Sequence, residues 1–440
     1  MIERKYDQIF CDSFLALNKA YDEGLDKNTK VKTSSPWMLL NMKSNYINLE
    51  EKIIGEKLEK FRNSIFPFTL KIYKTLVESN LKNERIISAY AGIELTNFIR
   101  KALCLKPDDL YKKSLLIKVN SKGKLLTKFS NTRWEILLNQ ENISIKTYDI
   151  DHPYQKKFQR SNYSYLELLS IYNKTNLLYF LLKRFHFVFN YKKAKKIVLV
   201  GREDNLVREI IFHLVKNGIT PIFLKNEKVE EKEFNKNIFI KLKEKLKPVI
   251  LDYIKHWVSE EFHDKTINFY FLNLKKQLDL KESYKVYFDN YLGQFNKEML
   301  CLTSYPAKQR TIALAEISEK KKIKFISTQH GINREINLTC DEGMCTWENG
   351  ISDLLFVNNN ESKIVSEKSP FAKGFCKVIG TAKQLYAKNK FDFPYGKKEV
   401  YYVSTRLSIS NKMMLAGHLV DYEKTAQELK LIKNVFQKIN

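Results

Sequence analysis

Apolar runs alternate with a segment of helical spacing between residues 298 and 379, and this alternation restricts the fold more than any other feature of the 440-residue chain. The runs have the length and composition of buried strands, and the segment between them repeats apolar residues every three or four positions. Strand, helix and strand in this order predict an α/β fold with a parallel sheet. The predicted elements are strands at 299–304, 323–328, 354–357 and 377–379 and a helix at 308–319.

The second of these strands runs directly into Gln329-His330-Gly331. Because ligands bind at the carboxyl ends of the strands in open parallel sheets, this position is suited to chemistry. The unperturbed pKa of a histidine is about 6.5, so His330 can accept a proton near neutral pH. Gly331 would let the main chain approach a substrate closely, and Gln329 could donate a hydrogen bond. The alternative interpretation is that His330 only bonds to the backbone at the strand end.

An earlier βαβ unit is predicted from strands at 197–201 and 221–224 around a helix at 206–216. Its first loop carries one glycine, Gly201, so it matches neither the dinucleotide-binding fingerprint nor a Walker loop. Two interpretations of Arg202 in this loop stay open: a contact to an anion, or a place in a solvated turn.

Two stretches are predicted to be helical. Residues 1–110 read as a mainly helical N-terminal region in which Pro67 breaks or kinks a long run. Residues 229–296 read as a charged helical insertion in the α/β part, and its charges are most simply a solvated face.

Between these parts, residues 111–195 are predicted to form a hairpin, with strands at 114–119 and 124–129, followed by an amphipathic helix at 175–196. The longest apolar run of that helix is far shorter than the ~20 residues that a membrane span requires. Its aromatic residues and flanking lysines fit a helix in the interface of an anionic membrane or a buried helix that joins domains.

The formal net charge of +26 favours anionic partners such as a nucleotide-linked donor, a phosphorylated acceptor or a membrane surface. A compositional bias towards lysine is the competing explanation. No compact nucleic-acid-binding signature is present, so we expect no nucleic-acid partner. The six cysteines form no CxxC pair and fit no familiar zinc pattern, and the charged start of the chain lacks the apolar core of a signal peptide. We expect a cytoplasmic protein, with the inner face of the cell membrane as a place of peripheral contact.

The ordered set of motifs resembles the acceptor half of two-domain glycosyltransferases of the GT-B type, in particular those that build bacterial surface and capsular polysaccharide. The set consists of strand, helix and strand ending in Gln-His-Gly, then Asp353 before Leu-Leu-Phe-Val-Asn-Asn, then Lys-Val-Ile-Gly. It is also similar to CDP-glycerol glycerophosphotransferases and to Kdo-transferase-like families. The resemblance covers residues 196–440. It implies a transferase that moves a glycosyl or glycerophosphate-type group from a nucleotide-activated donor to a cell-surface polysaccharide or lipid-linked acceptor.

The resemblance also implies a GT-B-like parallel sheet, with a first Rossmann-like half as acceptor domain at 196–380, a linker at 381–398 and the start of a donor-binding domain at 399–440. A further domain needs on the order of 100–200 residues. We therefore expect the donor half to be incomplete and the enzyme, as given, to be truncated, which would leave it inactive if donor binding needs the missing part. The alternative is a non-catalytic anion-binding or scaffold protein that is associated with polysaccharide synthesis at the membrane.

Site residues follow from the strand ends and from the resemblance. His330 is the candidate base, and Glu342, or Glu348 nearby, is a carboxylate that could serve in its place. Asp353 is expected to be structural. No cofactor other than the nucleotide-activated donor, and no metal, is implied, because GT-B enzymes stabilise the leaving phosphate with basic groups and helix ends. The candidate substrate-binding residues are Gln329, Gly331, Arg202, Trp347, Ser404, Thr405 and Arg406, the last as a contact to the donor phosphate.

Overall fold

The computed structural model describes residues 6–33, 55–79, 81–103, 105–120, 134–138, 140–149, 182–184, 194–224, 228–304, 309–329, 348–381 and 434. These residues form two sheets, and every strand pair in both sheets is parallel. The fold is therefore α/β and Rossmann-like, as the sequence predicts at this level.

The first sheet is built from the N-terminal third of the chain. Its elements are β1 (Gln8–Cys11), α1 (Phe14–Asp22), β2 (Lys30–Lys32), α2 (Gly55–Glu78), α3 (Arg85–Ala102), β3 (Ser114–Asn120), α4 (Trp134–Leu137) and β4 (Ile143–Asp149). The described strands have the order β2-β1-β3-β4. Gln8 of β1 lies opposite Lys30 of β2 on one side and Ser114 of β3 on the other.

The second sheet follows the same plan and is longer. Its elements are β5 (Lys196–Val200), α5 (Asn205–Lys216), β6 (Ile219–Phe223), α6 (Lys236–Ile254), α7 (His263–Gly293), β7 (Glu298–Ser304), α8 (Gln309–Lys320), β8 (Lys324–Thr328), β9 (Leu354–Val357), α9 (Asn360–Lys368) and β10 (Phe375–Val378). The described strands have the order β10-β9-β8-β7-β5-β6. In each sheet a pair of long helices separates the second strand from the third.

These two helix pairs form a layer between the sheets. α2 packs against α3 and α6, and α3 packs against α7. The Tyr270 hydroxyl of α7 donates to the Ser88 carbonyl of α3 at 3.0 Å, and the rings of Phe98 and Phe269 stack with their centroids 4.0 Å apart. A single hydrophobic core contains the inner sides of these helices and one face of each sheet. The two sheets therefore depend on the same buried interior.

The other face of each sheet packs against the helix that follows its first strand. α1 contributes Leu17 to a cluster on the first sheet, and α5 contributes Val207 and Ile211 to a cluster on the second. Side chains alternate between the two faces of a strand, so Val198 and Val200 contact the α5 side while Ile197 and Leu199 contact the shared core.

α2 continues through Pro67, so a break at this proline is wrong. An interior proline costs a helix about 3 kcal/mol through the lost hydrogen bond and the clash of its ring. Phe61, Phe68 and Ile72 of α2 are buried in the shared core. Burial of each such side chain contributes about 1.5–3 kcal/mol, which outweighs the local penalty.

The predicted strands and helices of the second sheet are confirmed, with ends displaced by no more than two residues. The predicted helical insertion at 229–296 is confirmed as α6 and α7. Their apolar sides, however, are part of the shared core, so these helices join the two sheets.

The predicted division of residues 1–195 requires correction. β1 and β2, in the stretch predicted to be mainly helical, pair in one sheet with β3 and β4 of the stretch 111–195. β3 pairs with β1 along one edge and with β4 along the other. Residues 114–117 therefore have no free edge that could form a hairpin with 124–129. Residues 124–129 themselves lie outside the described residues. Strands of three or four residues give too little periodicity to be detected, and their partners are distant in sequence.

Among the described helices, none combines the length and the apolar content that a bilayer crossing requires. Most of the predicted amphipathic helix at 175–196 lies outside the described residues.

Candidate functional site

β5 is the point at which the winding of the second sheet reverses. β6 lies on one side of β5 and β7 on the other. The helix after β5, α5, packs on the outer face of the sheet, whereas the helix after β7, α8, lies in the shared core on the opposite face. The loops that leave the carboxyl ends of β5 and β7 therefore diverge. In doubly wound sheets this divergence forms the ligand crevice.

The loop after β5 is fixed to the end of β7 by three hydrogen bonds. The Gly201 N–H donates to the Leu302 carbonyl at 2.9 Å, and the Arg202 N–H donates to Thr303 Oγ1 at 3.0 Å. In return, the Ser304 N–H donates to the Arg202 carbonyl at 2.8 Å. The exposed side chain of Arg202 therefore extends from a fixed point of the backbone at the crevice.

Gly201 is required by the close approach of this loop to β7. A Cβ atom at residue 201 would lie 2.7 Å from Thr303 Oγ1 and 3.0 Å from Thr303 Cβ. Any side chain would push the loop away from the strand and would disturb the hydrogen bonds on either side of it.

The N-terminus of α5 lies at the same edge and is capped by Asp204. Asp204 Oδ1 accepts a hydrogen bond from the Val207 N–H at 2.8 Å, and Thr328 Oγ1, at the end of β8, lies 3.4 Å from Asp204 Oδ2. This carboxylate therefore connects the β5 loop with β8 across the intervening strand β7.

Ser304 ends β7 between these groups. It is opposite Thr328 in the parallel register and shares a face with Leu302, which packs on the α5 side. Its side chain is fully buried, and its hydroxyl has no hydrogen-bond partner among the described residues. A buried polar group without a partner costs about 1–3 kcal/mol. Native proteins retain few such groups, and an unmade bond next to a ligand crevice suggests a group that a ligand completes.

Gln329 connects the carboxyl ends of β8 and β9. It is buried; its backbone N–H donates to the Phe356 carbonyl at 2.8 Å, and its Oε1 accepts from the Asn358 N–H at 3.1 Å. The side-chain oxygen thus stabilises the connection between the two strands. The hydrogen bond that Gln329 was predicted to donate to a substrate is not among these bonds. They fix the position from which the chain continues into His330.

Two further acidic residues have structural contacts. Glu348 is buried, and its carbonyl accepts from the Ser327 hydroxyl at 3.3 Å. Asp353 Oδ2 accepts from the Phe325 N–H at 2.9 Å near the amino end of β8, on the side away from the crevice. The structural role expected for Asp353 is confirmed.

The structure brings two of the predicted site residues, Arg202 and Gln329, to the same edge of the sheet. Only β7 separates their strands, so the two positions are two strand spacings, about 10 Å, apart along the edge. The other predicted site residues lie outside the described residues; they are His330, Gly331, Glu342, Trp347, Ser404, Thr405 and Arg406.

The first sheet has a polar edge that the sequence analysis misses. Asp12 follows β1, which is the reversal point of that sheet, and is buried. Its carboxylate accepts from Thr33 Oγ1 at 2.8 Å and from Trp134 Nε1 at 3.1 Å. Asp149, the last residue of β4, begins an Asp-Ile-Asp sequence. In both cases an acidic residue directly after an apolar run is the sequence signal that could have indicated this edge. β1, however, is too short to be recognised as a strand from the sequence.

The described residues of the crevice offer polar groups and no reactive thiol. Burial raises the pKa of the Cys301 thiol in β7 to about 12, although the Ser318 hydroxyl hydrogen-bonds it, so this cysteine stays protonated at neutral pH. In the part of the chain that the structure describes, no group of three or more His, Cys, Asp or Glu side chains could hold a metal ion.

The fold and this edge define the protein as a doubly wound α/β protein whose candidate ligand crevice lies at the reversal point of its second sheet. Comparison with protein-family models, with curated proteins and with solved structures found no match to the chain.

Proposed function

We propose that the chain is a glycosyl or glycerophosphate-type transferase, which moves a group from a nucleotide-activated donor to a cell-surface polysaccharide or a lipid-linked acceptor. The observation that carries this proposal is the polar edge at the reversal point of the second sheet, where Arg202, the Asp204-capped start of α5 and the buried Ser304 hydroxyl lie together. β8 reaches the same edge and leads through Gln329 into His330.

The chemistry of these groups fits an activated sugar. Arg202 is a permanent cation and therefore favours a phosphate. The Asp204 carboxylate and the Ser304 hydroxyl are partners for the hydroxyl groups of a sugar or a glycerol. A sugar phosphate presents both a phosphate and hydroxyl groups, whereas a simple anion has no hydroxyl group to donate to the carboxylate.

The proposed reaction needs one proton acceptor. The oxygen of the acceptor hydroxyl forms a bond to the transferred group while the bond from that group to the nucleotide phosphate breaks, and the hydroxyl proton passes to a base. We assign the base to His330, because its unperturbed pKa lies near neutrality and the residue before it is held by two hydrogen bonds. A base that starts from a fixed backbone needs less reorganisation in the transition state.

The second sheet is a further support, since it is parallel and Rossmann-like, as the resemblance implies for the acceptor half at 196–380. The proposed donor-binding start at 399–440, with Ser404, Thr405 and Arg406, stays a prediction.

The test is a donor screen on the purified chain. Calorimetric titration with CDP-, UDP-, GDP- and CMP-linked donors should find one nucleotide class that binds, and acceptor polysaccharide should then cause release of the free nucleotide. His330→Ala should abolish release and retain donor binding, since a base contributes about 10²–10⁴-fold to the rate.

Ser304→Ala separates a ligand contact from a structural role. We expect weaker donor binding in this variant and unchanged binding in Ser88→Ala. Ser88, in α3, also has a fully buried hydroxyl with no partner among the described residues, and it belongs to a helix outside the second sheet. Equal effects of the two substitutions would refute the assignment of Ser304. Donor binding without transfer would favour the non-catalytic alternative, and no binding of any donor would refute the transferase proposal.

A further inference from the structure

The outer face of α6 differs from the other described helix surfaces in its charge. α6 buries Phe239, Leu242, Leu246, Ile250 and Ile254 against the shared core. Its exposed residues include five lysines and one glutamate within three turns of helix. We call this surface the α6 lysine face; its members are Lys236, Ile240, Lys241, Lys243, Glu244, Lys245, Lys247 and Leu251. Glu244 is its one acidic residue and lies between Ile240 and Leu251 on the same side of the helix.

The lysines of this face lack the ion pairs that neutralise the neighbouring helix. On α7, Lys275 pairs with Asp279 at 2.7 Å and Lys285 pairs with Glu282 at 2.9 Å. In the described part of the chain, no ion pair involves any of the five α6 lysines. Lys243 lies 5.2 Å from the centre of the Phe239 ring, a cation–π contact that brings no negative charge to it. With five lysines against Glu244 alone, the face keeps a net positive charge that no ion pair among the described residues neutralises.

Two large aliphatic side chains are exposed among these lysines. Ile240 is 44% exposed and Leu251 is 39% exposed. They are eleven residues apart, which is close to three full turns, so both point in the same direction about 16 Å from each other. Exposure of these apolar side chains to water is unfavourable, but they can enter the boundary between lipid head groups and acyl chains.

We propose that the α6 lysine face docks on the surface of an anionic lipid bilayer, with α6 parallel to the membrane plane. The lysines are complementary in charge to the lipid head groups, and Ile240 and Leu251 enter the apolar boundary between them. A nucleic acid would satisfy the lysines but would leave both aliphatic side chains in water. Each lysine near an anionic surface strengthens binding roughly fivefold, so the interaction depends on the whole set and weakens with salt.

The docking proposal is independent of the proposed transfer reaction, because vesicle binding requires neither a donor nor an intact crevice. The experiment is sedimentation of the purified chain with vesicles of phosphatidylcholine alone and of phosphatidylcholine mixed with phosphatidylglycerol, at low and at high salt. We expect binding only to the mixed vesicles, and release of the protein as the salt concentration increases.

Two sets of variants locate the surface. Lys241→Glu combined with Lys245→Glu should reduce binding to the mixed vesicles at least about 30-fold, from two lysines at roughly fivefold each. Lys216→Glu combined with Lys377→Glu makes the same change in net charge at exposed positions of α5 and β10 and should leave binding within about twofold. All four lysines are exposed, and circular dichroism checks that both variants fold.

Ile240→Ser combined with Leu251→Ser distinguishes a bilayer from a polyanion. This variant keeps every lysine, so its binding to an RNA or DNA oligonucleotide should be unchanged, while its vesicle binding should weaken several-fold. Equal loss in the two lysine variants would overturn the proposal, because binding would then follow net charge alone. The proposal would also be overturned if the protein did not bind vesicles at low salt. It would be overturned as well if an oligonucleotide displaced the protein from mixed vesicles and the two serine substitutions left vesicle binding unchanged.

Discussion

Lys281 is fully buried between two carboxylates that belong to different parts of the fold. Its ammonium is 2.8 Å from the carboxylate of Glu316 in α8 and 3.8 Å from that of Glu84, in the turn before α3. Glu316 also has Lys285 at 3.5 Å, whereas Glu84 has no second ion pair in the described residues. Lys281→Met removes the charge and keeps most of the length of the side chain, and so leaves Glu84 buried without its cation.

The expected loss is about 3–5 kcal/mol at neutral pH, the usual effect of removing one partner from a buried pair. Burial already raises the pKa of Glu84 above its ordinary value, even though Lys281 opposes this, and loss of Lys281 should raise the pKa further. A carboxyl group with a raised pKa contributes most stability below its unfolded pKa of about 4.3 and loses that contribution as pH rises through the folded value. The variant should therefore lose more stability at pH 8 than at pH 5.

Urea unfolding followed by tryptophan fluorescence at both pH values measures this difference. Lys71→Met is the matched control, because it breaks an exposed pair with Asp252 between α2 and α6 and should leave stability nearly unchanged. The double variant Lys281→Met/Glu84→Gln should recover part of the loss, since no buried charge is then unpaired at Glu84. Equal destabilisation by Lys281→Met and Lys71→Met, or a loss that does not change with pH, would refute the reasoning.

Three smaller predictions concern the second sheet. Gly201→Ala should destabilise the protein by about 1–3 kcal/mol through the contact with Thr303, while Gly293→Ala, where a Cβ meets nothing within 4 Å, should cost nothing; equal thermal shifts would contradict this. Asp204→Ala removes the cap of α5 and should cost about 1 kcal/mol in urea unfolding, and an unchanged midpoint would argue against the cap. Because burial raises the pKa of Cys301 to about 12, this thiol should not react with a thiol reagent at pH 8 until the protein unfolds, which mass mapping of the labelled cysteine checks.

The second sheet could be predicted from sequence because its strands are separated by helices of clear periodicity. Residues 299–304 and 323–328 are apolar runs bounded by polar residues, and both became strands almost as predicted. β1 and β2 in the first sheet have four and three residues, and they exist only because β3 supplies a distant edge. Such pairing is a property of the whole fold and leaves no local signal.

The candidate site shows the same limit. Arg202 was found because it follows a strong strand, and Gln329 because it precedes a histidine and a glycine. Ser304 was missed because a serine at a strand end is common. Only the three-dimensional arrangement shows that its hydroxyl is buried and has no partner among the described residues. The role of Gln329 also depended on the structure, since its partner Asn358 follows a different strand.

The helical layer between the sheets also determines when this protein can fold during its synthesis. The Ser88 carbonyl and the Tyr270 hydroxyl, which join α3 to α7, are 182 positions apart in the chain. At translation rates of about 5–20 residues per second, α7 leaves the ribosome about 10 to 40 s after α3. During that interval the sides of α2 and α3 that pack against α6 and α7 lack those partners and are exposed to solvent. The N-terminal third of the chain should therefore depend on a ribosome-bound holdase until the second helix pair has emerged.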